Sequence, residues 1–176
     1  MIGIPKLIRG LKCALLTACL TLLVSCLVIS NVLGFIWHLK NGSSAVFTNW
    51  RVPIPTGYAS PNGQSFFAFS FGAPFLNDSY GHITVFTHKE RRELPYQQIE
   101  VAMVKVANDE GYRLEGKRAL HGPLGSIYCF QFQHASRNSK VLVRCVTATG
   151  ELAVFFEGDQ RFSGDAYAVV AGIQRL

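Results

Sequence analysis

The chain has 176 residues, 49% of them hydrophobic, a mean hydropathy of +0.22 and a formal charge of +6. Lys6, Arg9, Lys12 and Lys40 lie within the first 40 residues and all 11 acidic side chains lie after them, so the other 136 residues set 13 basic groups against 11 acidic ones. A surplus of two on a domain-sized stretch is no phosphate-binding face, which excludes nucleic acid as the expected partner.

Residues 1–12 form a basic segment, and residues 13–36 carry no charge. As a helix, these 24 residues span a bilayer core of about 30 Å with some tilt. The positive-inside bias places residues 1–12 in the cytoplasm and the rest of the chain across the membrane. A single-pass protein of a bacterial inner membrane, facing the periplasm, is the expected setting. A cleaved signal would need an apolar region of about 7–15 residues. This run is longer, and Ser43-Ser44-Ala45, the nearest small-residue pattern, lies well beyond Ile36.

Leu23-Val24-Ser25-Cys26 resembles the lipobox of bacterial lipoproteins, which implies acyl anchoring through Cys26. Lipoproteins usually continue with a polar tether, whereas Leu27 to Ile36 stay apolar, so the uncleaved span is preferred. Thr17, Thr21 and Ser25 recur every fourth residue on one helical face. Small residues at that spacing let two helices approach, which makes a homodimer one expectation. The alternative is that these hydroxyls bond back to carbonyls of their own helix.

Trp37 and His38 suit the membrane interface, and residues 37–44, with Asn41-Gly42-Ser43-Ser44, read as a short tether. Residues 45–52 read as a first strand. The two prolines of Pro53-Ile54-Pro55 exclude a central strand there, and Ser60-Pro61-Asn62-Gly63 reads as a turn. Residues 65–71 and 82–88 alternate with a period of two, the first placing Phe67, Phe69 and Phe71 on one face. Pro95 and Gly111 bracket a helix whose apolar stripe is Tyr96, Ile99, Met103, Val106 and Ala107.

Four strands are predicted next, over residues 112–119, 125–133, 140–147 and 151–157. The first is polar enough for an edge. A closing helix from about Ser163 would bury Ala166, Val169, Val170 and Ile173. Strands, helix, meander and helix form an α+β pattern, one mainly antiparallel sheet packed with a middle and a C-terminal helix over residues 45–176.

Three features together resemble the PsbP/Mog1-like class of small α+β domains. They are Ile54-Pro55-Thr56-Gly57-Tyr58, the middle helix, and a final strand leading to a helix that ends Ala171-Gly172-Ile173. That class includes membrane-tethered accessory proteins and binding modules, and it brings no catalytic triad to carry over. The resemblance implies an architecture first and a non-catalytic role second.

Five cysteines divide by place: Cys13, Cys19 and Cys26 in the anchor, Cys129 and Cys145 in the predicted sheet. If residues 136–138 tip a hairpin, residues whose numbers sum to 274 face each other, Cys129 and Cys145 among them. A disulfide is expected there, because an extracytoplasmic compartment preserves it. The alternative is two small buried thiols.

His38, His82, His88, His121 and His134 show no metal-ligand spacing, and no phosphate-binding, dinucleotide or nucleophile-elbow motif occurs. No cofactor is expected. Five phenylalanines fall between Phe66 and Phe75. Most belong in a core, and Phe66 and Phe75 are the candidates for a patch offered to a partner.

The expected function is that of a membrane-anchored extracytoplasmic accessory or binding module, partnered by the lipid bilayer through residues 13–36 and by a membrane or envelope protein. An enzyme acting on envelope material is the runner-up. A cleft of converging polar groups with perturbed pKa values would favour the enzyme, and a flat apolar sheet face would favour binding.

Overall fold

A computed structural model describes residues 12, 14–21, 36–59, 65–68, 81–88, 93–122 and 124–176, with the backbone alone for 65–68. Residues 14–21 and 36–41 are helical. Among the described residues no helix is long and apolar enough to cross a membrane. Residues 13 and 22–35 of the expected span, Ser25 and Cys26 included, lie outside the described residues.

Among the described residues the strands form two sheets where one was expected. The smaller has three strands, and it begins where one strand was expected over residues 45–52. Strands β1 (Ser44–Phe47) and β2 (Trp50–Pro53) form a hairpin with Phe47 opposite Trp50. The chain reverses at Thr48-Asn49, where Thr48 adopts a φ of 53°, a left-handed conformation uncommon for a β-branched residue. The third strand, β10 (Gln174–Arg175), returns from the C-terminus and pairs with β2, so the chain closes on a strand and not a helix. Trp37 packs on the core and both ring nitrogens of His38 reach carbonyls, Gly42 O at 2.9 Å and Pro55 O at 3.1 Å. The segment read as a tether therefore has a conformation of its own.

The larger sheet runs β3 (Tyr58–Ala59), β4 (Ser65–Ala68), β5 (Gly81–Thr87), β9 (Leu152–Asp159), β8 (Arg137–Thr147), β7 (Gly125–His134), β6 (Tyr112–Gly122), every neighbour antiparallel. The polar strand β6 takes an edge, as its composition predicts. Helix α1 (Tyr96–Asp109) precedes it, starting after Pro95 and stopping before Gly111, which has the positive φ of 82° that suits a helix C-terminus. Helix α2 (Ser163–Gly172) follows β9 through a single helical turn, Gln160–Phe162.

Period-two alternation gives the larger sheet two different faces. On the inner face Ile83, Val85, Ile127, Val141, Val143, Val154 and Phe156 meet Ala166, Val169 and Val170 of α2 and Trp50 and Val52 of the small sheet. On the outer face Phe130, Phe132, Leu142 and Val146 meet Ile99 and Ala107 of α1. Phe130 and Phe132 are fully buried, each contributing on the order of 2–3 kcal/mol relative to exposure. Val106, placed on the buried stripe by its spacing, is 46% exposed, and Val104 packs in its stead.

The β7–β8 hairpin turns at Ala135-Ser136, earlier than residues 136–138, and still pairs residues summing to 274 from Ile127↔Thr147 to Gln133↔Val141. A bulge in β8 absorbs the offset. The Gln133 side-chain amide holds it, donating to the carbonyls of Arg137, Asn138 and Lys140 at 3.1, 2.7 and 3.1 Å.

Candidate functional site

The registers of the larger sheet line up rows of outer-face residues across the strands. One row reads Lys117, Phe130, Arg144, Phe155, Thr84; the next reads Leu114, Phe132, Leu142, Glu157, His82. Helix α1 covers the β6–β7 end of these rows, and Lys117 pins it there through Glu100 at 2.8 Å. The β8, β9 and β5 members are left beside the end of the helix. They line an open groove of about 380 Å³ with Glu110, Tyr112 and His134 at its rim and Phe86 beyond Phe155.

Two ion pairs organise the groove. Arg144, 5% exposed on a central strand, donates from Nη2 to Glu110 Oε2 at 2.7 Å and lies 5.2 Å over the Phe155 ring. Lys140 pairs with Glu157, whose Oε1 also accepts from Tyr112 Oη at 3.0 Å. Burial alone pushes Glu157 up, but hydrogen bonds from Lys140 and Tyr112 outweigh it and hold the carboxyl below its ordinary range. Burial, seconded by the Glu157 charge, drives the Tyr112 phenol up. His82 stands opposite Glu157 across β5–β9, with Nε2 3.1 Å from Thr84 Oγ1. Burial keeps its imidazole below the ordinary 6.5, against the opposing pull of Glu157.

These shifts have a stability consequence. His82 is lowered in the folded chain, so it takes up its proton more readily once unfolded. The stability it contributes is complete above 6.5 and is lost as pH falls toward the folded value. Glu157 has the same sign, its contribution being lost further down, below its ordinary 4.5. Thermal unfolding followed by circular dichroism should therefore show the melting temperature falling between about pH 7.5 and about pH 5.5. His82→Asn should flatten that fall; an unchanged slope would show that His82 does not cause it.

The residues singled out from the sequence are distributed differently. Cys129 and Cys145 stand opposite one another on β7 and β8, their sulfurs 2.08 Å apart, on the inner face away from the groove. Phe66 pairs through its backbone with Ile83, while Phe75 lies outside the described residues. Thr21 Oγ1 donates to Thr17 O and Ala18 O, both at 2.9 Å, the back-bonding alternative for that face. Among the described residues no three His, Cys, Asp or Glu side chains gather where they could hold a metal ion.

The chain is similar to the solution structure of cyanobacterial PsbP (CyanoP) from Synechocystis sp. PCC 6803. The TM-score is 0.46 and the sequence identity 10%, covering 73% of this chain and 87% of that chain. This is a weak likeness of fold, and it meets the expected resemblance at that level alone. No protein-family model matches the chain, and no curated protein matches it.

Sequence reasoning missed Arg144, Glu157, Lys140, Tyr112, Glu110 and His82 as a set. One signal was present. Arg144 stands between Val143 and Cys145 in an apolar strand, and a charge in such a strand needs a partner or a ligand.

Proposed function

We propose that this chain is a membrane-anchored binding module whose α+β domain works outside the cytoplasm and presents the outer-face groove to a partner in an envelope complex. The observation that carries the binding reading is that, among the described residues, α1 shields one end of the outer face and leaves charged and aromatic side chains open beside it. Both carboxylates of the groove are tied up in ion pairs, so neither stands as a free acid or base. The anchor rests on residues 13–36 and their basic flank. A disulfide-bearing domain fits an oxidising compartment.

A photo-crosslinking amino acid at Phe86, 43% exposed at the groove rim, tests this in living cells against the same probe at Val101, 68% exposed on the outer side of α1. The same envelope protein should be trapped repeatedly from Phe86 and not from Val101. Equal trapping from both, or none from either, would overturn the reading. An inactive C-terminal alkaline-phosphatase fusion, with a cytoplasmic reporter active at the same end, would reverse the topology.

One observation favours the enzymatic reading. The groove does gather polar groups with shifted pKa values, and the neutral imidazole of His82 sits within reach of the Thr84 hydroxyl. Release of soluble products from purified cell envelopes by the wild-type chain, abolished by His82→Ala, would establish that reading over the first.

A further inference from the structure

Arg144 is the least expected side chain in the groove. Its register neighbours are Phe130 on β7 and Phe155 on β9, and its Nε is buried without a hydrogen-bond partner among the described residues. Burying a guanidinium is costly unless its donors are engaged. Its salt partner is weakly held. The Glu110 side chain is 48% exposed and caps the C-terminal end of α1, where the helix dipole disfavours a carboxylate. The exposed Glu110 can turn into solvent, but the Arg144 side chain is 7% exposed and costly to leave unpaired, so another anion must take the place of Glu110 as it leaves.

With Glu110 turned away, the groove holds Arg144 and Lys140 against Glu157, one positive charge more than negative. Lys140 stays neutralised by Glu157, which leaves Arg144 to receive a single negative charge. A guanidinium fork matches a carboxylate. Beside it Phe155 and Phe86, ring centres 5.0 Å apart, form an apolar wall continued by Leu142. We propose that Arg144 is an anion receptor, that Glu110 is the resident stand-in for its ligand, and that the groove takes a monocarboxylate borne on a flat apolar group. This rests on reading the groove as a binding surface, and it names the chemistry of what binds.

The test uses the full chain in a non-ionic detergent, titrated with phenylacetate and with phenylacetamide, its uncharged counterpart. Phenylacetate should bind saturably by calorimetry and phenylacetamide should not. Glu110→Gln, which removes the competing charge, should tighten phenylacetate about tenfold. Arg144→Met keeps an unbranched side chain in the strand and should abolish binding. Equal binding of the two probes, no gain in Glu110→Gln, or retained binding in Arg144→Met would each overturn the assignment. The comparison of probes and the Glu110 variant stand even where Arg144→Met fails to fold. A chain that cross-links its partner through Phe86 but ignores phenylacetate overturns the carboxylate assignment alone. Loss of both overturns the groove as a binding surface.

Discussion

Replacing Cys129 and Cys145 together by Ala should lower the stability of the folded domain by about 3 kcal/mol, or roughly 10 °C in melting temperature. The bridge joins residues 16 apart in sequence, and a closed loop of that size removes about 3 kcal/mol of chain entropy from the unfolded state. Both cysteines are 1% exposed on the inner face, so truncation also leaves unfilled space beside Ile127 and Val143. The wild-type chain unfolded in reductant should approach the double variant. If reductant leaves its transition in place, and both thiols alkylate in unfolded, unreduced protein, the link makes no contribution.

Gly81→Val should cost about 3 kcal/mol, for a reason unrelated to backbone freedom. A Cβ at this position would lie 2.6 Å from Tyr58 Oη and 2.9 Å from Phe156 Cε2. Those side chains are 1% and 0% exposed and have little room to retreat, so the strand or the core must shift. Tyr58→Phe removes the nearer obstacle, a buried hydroxyl that faces the Asp165 carboxyl. The double variant Tyr58→Phe/Gly81→Val should therefore lose measurably less than the two single losses combined. Strict additivity in urea unfolding would place the strain elsewhere.

The parts of the fold legible in advance share one property: their signals are local. Pro95 and Gly111 mark a helix within a few residues of its ends, and β7 and β8 lie close enough for a numerical register to place Cys129 opposite Cys145. The first hairpin was illegible because Thr48 carries the positive φ, and threonine is no turn signal. Val106 matched the helical stripe, yet α1 packs on β6 and β7 with Val104 against the sheet and Val106 exposed. The groove was hidden for another reason. The apolar alternation of Val141, Val143 and Cys145 marks one face of β8 and says nothing of what Lys140 and Arg144 meet on the other. His82 and Glu157 face each other only because β5 pairs with β9, a juxtaposition that no short window of sequence contains.

That same pairing of β5 with β9 orders the folding of the chain in time. Strands β6 to β9 follow one another as a meander, and each can pair with the strand synthesised just before it. Strand β5 precedes them all, yet its sheet partner on that side is the last strand of the meander, with α1 and three strands between. Such a long-range contact closes slowly. As the chain appears from its N-terminus, β5 must wait with an open hydrogen-bonding edge until β9 arrives, and unpaired edges are where chains misassociate. The Cys129–Cys145 link lies wholly within the meander and can form during that wait, stiffening the template against which β5 finally docks. His82 is then the last member of the groove to reach its place, so the groove is complete only when the sheet is.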